Sequence, residues 1–279
     1  MQGTRADLHV HSNLSDGILT PEELVQRAHL AGLGCMSICD HDSTAGVQRA
    51  VDRGQELGVQ VIPGVELGVY VEGGSSGVAQ RLDGGEVHLL GYGMRGPALD
   101  AFLKGLREGR LRRLSRILER LAGLHMPLTE EEVLRVAAPS QSPGRPHIAR
   151  VMVQHGYCSS INEVFSRFLT PGKPGYVPRE RVSALEGIEV IKEAGGVPVV
   201  AHPGLGGTAT PLLKSMVEMG VEGIEVVHQD HSFEVVRKLI RFARSRNLLC
   251  TGGSDYHGRA SDPRLGEVTI PICWTRDLI

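Results

Sequence analysis

Residues 6–17 read Ala-Asp-Leu-His-Val-His-Ser-Asn-Leu-Ser-Asp-Gly, an apolar run that predicts a buried strand followed at once by a polar loop. Within this run, His9 and His11 are two positions apart. Side chains alternate along an extended segment, so the two imidazoles point to the same side. That geometry suits two ligands of one metal ion. A single His-x-His pair arises readily by chance, so further ligands are needed to support a metal site.

Strand and helix patterns alternate on both sides of this stretch. Thr20-Pro21-Glu22-Glu23 predicts a helix start, with Thr20 as the N-cap, Pro21 in the first turn and Glu23 as the capping-box partner. Repeated alternation of this kind is typical of a parallel sheet or a barrel. We predict strands at residues 6–10, 35–39, 59–71, 86–92, 197–201, 223–227 and 248–251, helices at residues 21–31, 43–57, 183–194, 211–219 and 233–246, and a loop at residues 73–85.

The middle of the chain has a different pattern. It contains no strand signal, and a Pro/Gly-rich linker at residues 170–178 follows its last predicted helix. We predict helices there at residues 99–124, 129–138, 146–155 and 161–169. We therefore expect an α/β fold in which residues 1–100 and 181–279 form the two parts of a barrel and residues 101–180 form a helical insertion.

Histidine and carboxylate side chains recur where the predicted strands end. In barrel enzymes, functional residues emerge from the C-terminal ends of the strands, so side chains distant in sequence can share one pocket. A single histidine at a strand end is more often a hydrogen-bonded structural residue, but six such histidines together indicate a cluster. The histidines are His9, His11, His41, His88, His202 and His257, and the carboxylates are Asp7, Asp16, Asp40, Asp42, Glu66 and Asp255.

Three of these carboxylates have an alternative role. Asp40 and Asp42 precede a predicted helix and could cap it, and Asp7 could orient the neighbouring histidines without touching metal. The remaining nine residues offer imidazole and carboxylate without thiolate, a set that fits zinc, manganese or iron. Nine ligands exceed what one ion uses, so we infer two or three ions, and closely spaced ions typically serve phosphate-ester hydrolysis. We expect five other histidines to be non-catalytic: His29, His125, His155, His228 and His231.

Composition limits the class of protein further. A chain of 279 residues with 41% hydrophobic and 22% charged residues suits one large globular α/β domain with an insertion. Its net charge of −2 gives no overall basic field, so binding of phosphate must depend on local cations or on metal.

No apolar run reaches membrane-spanning length. Five scattered cysteines without a secretory signal indicate a reducing compartment. We expect a cytoplasmic protein with no membrane association and no obligate protein partner.

Together these motifs resemble the PHP (polymerase and histidinol phosphatase) family. The matching residues are Asp7-Leu-His9-x-His11, Asp16-Gly17, Asp40-His41-Asp42, Glu66, His88, Ala-His202-Pro and Ser-Asp255-x-His257. The resemblance implies a distorted (β/α)7 TIM-like barrel of seven strands with a trinuclear metal centre. In the middle block, residues 144–150 and 174–178 resemble the inserted helical domain of one PHP subgroup. That subgroup contains nucleoside 3′,5′-bisphosphate phosphatases and the 5′-to-3′ exoribonuclease RNase AM.

The resemblance also implies a role for each matched residue. It implies one ion held by His9, His11, Glu66 and Asp255, a second by Asp16, His41 and His257, and a third by Glu66, His88 and His202, with Glu66 as a bridge. It places Arg145 and His147 against a substrate phosphate, a task that suits the planar fork of arginine. A surface salt bridge is the alternative for Arg145. The implied catalytic residues are Asp16, His41, Glu66, Arg145, Asp255 and His257.

We therefore expect a metal-dependent phosphoesterase that hydrolyses phosphate esters of nucleotides by means of a metal-activated hydroxide. Its expected substrates are 3′,5′-bisphosphonucleotides, which lose the 3′-phosphate, or short RNA or DNA oligonucleotides, which are degraded from the 5′ end. We expect two or three divalent ions, with manganese first and zinc or iron as alternatives.

Two other functions stay open from the sequence. A histidinol-phosphate-type phosphatase, or another hydrolase such as an amidohydrolase, could use the same metal ions. Alternatively, a non-catalytic PHP module could keep the metals for stability or for contact with another protein. Degenerate modules usually lose ligands, and none of the nine matched positions is missing here, so an enzyme is favoured.

Overall fold

The computed structural model describes residues 3–71, 86–140, 142–204, 209–260 and 262–278. The loop predicted at residues 73–85 lies outside the described residues. All five cysteines lie within the described ranges, and each is a free thiol. None of the helices in these ranges combines the length and the apolar character that a membrane crossing requires.

One sheet of eight strands forms the body of the molecule. The strands are β1 (Arg5–Val10), β2 (Cys35–Ile38), β3 (Gln60–Tyr70), β4 (Glu86–Tyr92), β5 (Val197–Val200), β6 (Gly223–Val227), β7 (Leu249–Gly252) and β8 (Ile270–Pro271). They lie in the order β7-β6-β5-β4-β3-β2-β1-β8. Strands β1, β2 and β3 pair in parallel, and so do β5, β6 and β7. The two parallel halves are joined through β4, which is antiparallel to both of its neighbours.

The sheet curves until its two parallel halves nearly meet. Just beyond β7, the N–H of Asp255 donates to the carbonyl oxygen of His9 at 2.8 Å. The N–H of His11 in turn donates to the carbonyl oxygen of Tyr256 at 2.8 Å. These bonds join the segment after β7 to the end of β1 and nearly close the barrel. The predicted α/β class and the distorted TIM-like barrel are therefore confirmed.

The sheet differs in two ways from a barrel of seven parallel strands. The strands β3 and β4 pair in antiparallel register, from Gly64 opposite Tyr92 to Tyr70 opposite Glu86. An eighth strand, β8, has only two residues and pairs antiparallel to β1. So short a segment shows no alternation of apolar and polar residues, and it includes Pro271, which is disfavoured in strand interiors. This is why the sequence did not predict it.

Nine α-helices within the described ranges follow the predicted pattern closely. They are α1 (Pro21–Leu30), α2 (Val47–Leu57), α3 (Pro97–Gly123), α4 (Glu130–Ala137), α5 (Arg145–Gln154), α6 (Ile161–Val164), α7 (Ala184–Glu193), α8 (Ala209–Glu218) and α9 (Phe233–Arg244), with a π-helix at Phe165–Leu169. Thr20 and Glu23 form both halves of the predicted capping box of α1. Helix α2 begins at Val47 and not at the predicted residue 43, because the intervening residues belong to a loop at the functional site described below.

The helical block between β4 and α7 has an apolar core of its own. Ile117, Leu121 and Ile148 are each at most 1% exposed and pack in one cluster. A different cluster lies between the sheet and α7, α8 and α9. Leu103 of α3 belongs to this second cluster, so α3 packs on the barrel as well as on the helical block. The helical insertion at residues 101–180 stays a prediction.

Tyr92 crosses the interior of the barrel. Its side chain is fully buried in a cluster with Leu8, Leu90 and Cys39. Its hydroxyl donates to the carbonyl oxygen of Leu8 at 2.9 Å. Burial raises the pKa of Tyr92 well above its ordinary value, so the hydroxyl stays a donor. The bond ties β4 to β1, two strands that are not neighbours in the sheet.

We predict that Tyr92→Phe lowers the free energy of unfolding by about 1 kcal/mol, because the Leu8 carbonyl loses a buried donor. Urea unfolding followed by circular dichroism measures this change. The control is Tyr157→Phe, which removes an exposed hydroxyl that donates to the Pro127 carbonyl at 3.2 Å. The control should change the free energy by less than about 0.5 kcal/mol. Equal losses in the two variants would contradict a role for the interior bond.

Candidate active site

The two histidines of β1 lie where the barrel closes. His9 and His11 are 0% exposed, and their Nε2 atoms are 3.1 Å apart. Both imidazoles point to the same side, as alternation along a strand requires. The structure brings all nine predicted ligands into one connected cluster around them: His9, His11, Asp16, His41, Glu66, His88, His202, Asp255 and His257.

His9, His11 and Glu66 form a first candidate metal group, and Asp255 lies beside its two histidines. The Nε2 atoms of His9 and His11 lie 3.5 Å and 3.3 Å from Glu66 Oε2. The same two atoms lie 3.5 Å and 3.0 Å from Asp255 Oδ1. Ligand atoms about 2.1 Å from a shared tetrahedral ion are about 3.4 Å from one another, so the separations among His9, His11 and Glu66 fit one divalent ion.

Glu66 belongs to a second group through its other oxygen. Glu66 Oε1 lies 2.7 Å from His88 Nδ1 and 3.3 Å from His202 Nε2. The two imidazole nitrogens are 3.3 Å apart. Because Oε1 faces this group and Oε2 faces the first, one carboxylate is placed so that it can bridge two ions.

A third group contains Asp16, His41 and His257, and the structure adds His11 to it. Asp16 Oδ1 lies 3.2 Å from His257 Nε2 and 3.9 Å from His11 Nδ1. His41 Nδ1 lies 3.1 Å from Glu66 Oε2. The third group is therefore continuous with the first, and the three groups form one centre.

Buried polar atoms without hydrogen bonds support the binding of metal at this centre. Among the described residues, four ligand atoms are buried and have no hydrogen-bond partner: His11 Nδ1, Asp16 Oδ1, His41 Nδ1 and Glu66 Oε2. A buried polar atom left unpaired costs about 1–3 kcal/mol, a cost that a bound cation would offset. Imidazole and carboxylate donors without thiolate fit zinc, manganese or iron.

Electrostatic interactions keep the carboxylates of the centre ionised. Burial alone would raise the pKa of Glu66, but its interactions with the surrounding imidazoles, that of His88 foremost, outweigh burial and hold the pKa well below its ordinary value. The pKa values of Asp16 and Asp255 are also well below the ordinary value, since their histidine neighbours outweigh burial. Burial lowers the pKa of His41 to about 3. His41 is therefore neutral, the form of imidazole that binds metal.

The sequence interpretation missed one carboxylate of the site. Glu225 lies in β6 and is 0% exposed, and its Oε1 is 3.0 Å from His9 Nδ1. Its Oε2 accepts the backbone N–H of His202 at 2.7 Å. Glu225 thus orients one histidine from each of two groups, as outer carboxylates do for metal-binding imidazoles. The available signal was a single acid in the otherwise apolar strand Gly-Ile-Glu-Val-Val.

His228 also lies beside the centre, although we expected it to be non-catalytic. It is 3% exposed, and its Nε2 lies 3.6 Å from Asp255 Oδ2. Its Nδ1 accepts the N–H of Asp230 at 3.2 Å, which leaves the proton of a neutral ring on Nε2, facing Asp255. The His228 ring is 5.2 Å from that of His202. His228 therefore helps to position two of the predicted ligands.

Asp7 and Asp40 hold the loops that carry the ligands. Asp7 accepts from the N–H and the Oγ of Ser254 at 3.0 Å and 2.7 Å, which fixes the residue before Asp255. Burial raises the pKa of Asp7 to about 6. Asp40 accepts from the N–H of Ser12 at 2.7 Å and from the Oγ of Ser15 at 2.6 Å, which fixes the loop between His11 and Asp16.

Asp42 joins the barrel to the helical block. Its Oδ2 accepts from Arg110 Nε in α3 and from Arg179 Nη2, the latter at 2.6 Å. The helix-cap alternative for Asp40 and Asp42 is wrong. Helix α2 begins only at Val47, after a glycine that makes no side-chain cap.

A cleft lined with arginines opens onto the centre. Its volume is about 140 Å³, and its lining includes Asp16, His41 and His88 from the centre and Arg110, Arg113, Arg145 and Arg179 from the helical block and its linker. Arg145 is the first residue of α5, and its guanidinium donates to the carbonyl of Leu169 at 3.1 Å. The guanidinium also lies 5.9 Å from the centre of the Phe165 ring. Arg145 thus lies at the cleft, and its contact with a substrate phosphate stays a prediction.

His147 is buried beside the cleft. It is 2% exposed, and its Nδ1 accepts the N–H of Gly144 at 3.1 Å. Burial lowers the pKa of His147 to about 4, so the imidazole is neutral near pH 7. This contact fixes the start of α5 next to Arg145. Contact of His147 with a substrate phosphate stays a prediction.

A nearly closed barrel with a cluster of metal-type ligands at its strand ends, open to a cationic cleft, defines a metal-dependent hydrolase of phosphorylated substrates. Comparison with known sequences agrees with this class. Residues 7–140 match the PHP domain. The chain is 34% identical to the 3′,5′-nucleoside bisphosphate phosphatase of Chromobacterium violaceum, over 96% of this chain and 93% of that one.

Other relatives are similar over most of their length. The chain is 34% identical to the 5′-3′ exoribonuclease Rnm of Escherichia coli, over 90% of this chain and 84% of that one. It is 34% identical to the phosphoribosyl 1,2-cyclic phosphate 1,2-diphosphodiesterase of Eggerthella lenta, over 91% and 94%. A crystal structure from Bifidobacterium adolescentis, assigned as a metal-dependent phosphoesterase, superimposes with a TM-score of 0.86 at 31% identity, covering 98% and 94%. The chain belongs to the PHP family and is a phosphoesterase.

We predict that Glu225→Gln weakens the binding of divalent metal by about 10–100-fold, because the oriented histidines lose a charged acceptor. Competition with a chelator of known affinity measures the dissociation constant for Mn²⁺ or Zn²⁺. The control is Glu222→Gln, which removes an exposed acid just before β6 that pairs with Lys192 at 3.0 Å. Unchanged metal affinity in Glu225→Gln, with the control also unchanged, would show that Glu225 does not orient the ligands.

Proposed function

We propose that this PHP protein hydrolyses phosphate esters of nucleotides. It removes the 3′-phosphate of 3′,5′-bisphosphonucleotides or releases mononucleotides from the 5′ end of short RNA or DNA oligonucleotides. Both reactions break the bond between phosphorus and a 3′ oxygen. The two substrates differ in what else the phosphorus carries: in an oligonucleotide it also carries an ester to the next nucleotide, and in a bisphosphonucleotide it does not. One observation carries the proposal: three groups of metal-type ligands meet at Glu66, next to a cleft lined by four arginines.

The proposed metal ligands are the nine clustered residues, in the three groups described above. The proposed complement is two or three divalent ions, with manganese first and zinc or iron as alternatives. When bound, such ions lower the pKa of water towards neutrality and offset charge on the phosphoryl oxygens. Asp16 and His41 also line the cleft, so they are among the ligands nearest to a bound substrate. The proposed catalytic residues are Asp16, His41, Glu66, Arg145, Asp255 and His257.

Arg145 is the proposed ligand of a substrate phosphate that does not react. Its planar fork can bind two phosphate oxygens at once, and Arg110, Arg113 and Arg179 bring further positive charge to the same cleft. These arginines are the local cations that a chain with a net charge of −2 needs in order to bind an anionic substrate. His147, which accepts the N–H of Gly144 at the start of α5, is proposed as a second residue that binds the substrate phosphate.

The positive charge of the cleft also distinguishes between the proposed function and its alternatives. The relatives at equal identity have three different substrates in their names, so identity alone does not select one. A cleft with four arginines favours a substrate that has a second phosphate besides the one attacked. Histidinol phosphate has only one, and this disfavours a histidinol-phosphate phosphatase. The nine clustered ligands favour an enzyme over a non-catalytic module.

The proposed location is the cytoplasm. The five cysteines lie within the described ranges as free thiols, and three of them are buried. Free thiols of this kind are typical of proteins in a reducing compartment.

We predict that Asp255→Ala lowers kcat by at least about 100-fold, because it removes a ligand whose Oδ1 lies 3.0 Å from His11 Nε2. The assay measures release of inorganic phosphate from 3′,5′-bisphosphoadenosine, or of mononucleotide from an oligonucleotide, with Mn²⁺ present and after chelation. Chelation should remove the activity of the wild type. Asp277→Ala, at an exposed acid, is the control and should keep full activity. A fully active Asp255→Ala protein would overturn the proposed function.

We predict that Arg145→Ala raises KM for 3′,5′-bisphosphoadenosine by about 10–100-fold, because a charge-assisted contact with the second phosphate is lost. Hydrolysis of 4-nitrophenyl phosphate, which has no second phosphate, should change little. Arg135→Ala is the control, since it removes an exposed arginine that pairs with Glu131 in α4 at 2.8 Å. Equal loss of activity on both substrates would show that Arg145 does not bind the second phosphate.

A further inference from the structure

A second cavity, the α3 groove, adjoins the cleft. We define it by Gly68, Gly105, Arg113, Arg179 and Arg181 in its lining, and its volume is about 280 Å³. Together with the cleft of about 140 Å³, it reaches the size range of ligand pockets, roughly 300–1,000 Å³. The reaction at the metal-type ligands does not itself require this second space.

The α3 groove is continuous with the cleft. Arg110, Arg113 and Arg179 line both cavities. At one end of the groove, Gly68 pairs with His88 across β3 and β4, and His88 lines the cleft. The groove therefore starts beside the ligand centre and leads away from it along α3.

Gly105 on α3 leaves room for a ligand in the groove. Gly109 lines the groove one helical turn further on, but a Cβ atom there would lie 3.0 Å from the Glu180 carboxylate. A Cβ atom built at Gly105 would have no other atom within 4 Å. A glycine inside a helix costs about 1 kcal/mol relative to alanine, and here it leaves the helix surface open to the groove.

Positive charge is concentrated along the same helix. Helix α3 contains seven Lys or Arg residues and three Asp or Glu residues, a net charge of +4 in a chain whose net charge is −2. Arg181, at the groove, lies over the ring of Tyr70 at 5.6 Å. Glu180 also lines the groove, but its carboxylate is held by Arg112 at 2.8 Å and 2.6 Å. Glu186 is a second acid in the lining, and Asp42 pairs with both Arg110 and Arg179. The four arginines of the groove outnumber these three carboxylates, so the groove suits an anionic chain.

Hydrolysis of an oligonucleotide requires a cationic surface beyond the reacting phosphorus, whereas hydrolysis of a bisphosphonucleotide does not. In a bisphosphonucleotide, the 3′-phosphate that is attacked ends the molecule. In an oligonucleotide, the same phosphorus has a second ester that leads to the next nucleotide. Proteins that bind single strands typically track the phosphate backbone with a cationic groove. For an exonuclease, such a groove has to begin beside the reacting phosphodiester. The α3 groove meets this requirement, since it begins next to His88.

We propose that the α3 groove binds the nucleotide that follows the scissile phosphodiester, so that short oligonucleotides are substrates of this site. The inference rests on the proposed function. In the reaction, water adds its oxygen to phosphorus and the bond from phosphorus to the 3′ oxygen breaks. The 3′ oxygen leaves with a proton as the hydroxyl of the released mononucleotide. The phosphate stays on the 5′ end of the remaining chain, which lies in the groove.

The test compares two substrates with two variants of α3. Gly105→Leu places a side chain in the groove without displacing neighbouring atoms and improves helix propensity, so the protein should fold. We expect its kcat/KM for a 5′-phosphorylated trinucleotide to fall about tenfold or more, and its kcat/KM for 3′,5′-bisphosphoadenosine to stay within about twofold. Gly123→Leu, at the other end of α3, also meets no atom within 4 Å and should leave both values unchanged.

A second variant tests the charge of the groove. Arg181→Gln should weaken the salt dependence of KM for the trinucleotide and leave that for the bisphosphonucleotide unchanged. Full trinucleotide activity in both Gly105→Leu and Arg181→Gln would contradict the proposed role of the α3 groove and leave the proposed function intact. A wild type that hydrolyses the bisphosphonucleotide and not the trinucleotide would contradict that role as well. A wild type that hydrolyses neither substrate would overturn the proposed function, and the groove with it.

Discussion

The ionised carboxylate of Glu66, buried at the centre of the barrel, is the constraint on which the rest of the structure depends. It is 1% exposed, and an ionised carboxylate so deeply buried costs several kcal/mol unless its neighbours compensate. Five imidazoles, supplied by four strands and the residues that follow them, have nitrogens within 3.5 Å of it: His9, His11, His41, His88 and His202. Only a sheet that closes on itself brings these strand ends to one carboxylate, so the barrel and the site form together.

The backbone turns sharply at the strand ends that serve the site. Asp42, His202 and Asp255 have φ angles of 52°, 26° and 53°. Such angles in residues other than glycine cost about 1–3 kcal/mol each and persist only where contacts hold them. Each of the three has such a contact: Asp42 binds two arginines, the N–H of His202 donates to Glu225, and the N–H of Asp255 donates to the backbone of β1. His125 and Asn247 also have positive φ angles, at turns away from the site, so this backbone conformation is not confined to the site.

The helical block is tied to the barrel through the same loop that carries a ligand. Asp42 follows His41 directly, and it binds Arg110 and Arg179, both of which line the cleft. Arg107 also donates to the Asp42 carbonyl at 3.1 Å. These contacts fix the cations of the cleft relative to the ligand centre, since contacts of this kind hold a site in its working geometry. A nearly neutral protein thereby presents a local cationic surface to an anionic substrate.

The sequence by itself determined the elements whose signals are local. Alternation along β1 sets His9 and His11 on one side, and the capping box of Thr20 starts α1. Recurrent histidines and acids after apolar runs indicated the nine candidate ligands that the structure brings together. Tertiary structure alone decided the antiparallel setting of β4, the pairing of β8, and the contacts of Glu225 and His228. Glu225 and His9 are 216 positions apart. No local pattern encodes such a contact, because it arises only when the barrel closes and brings β6 beside β1.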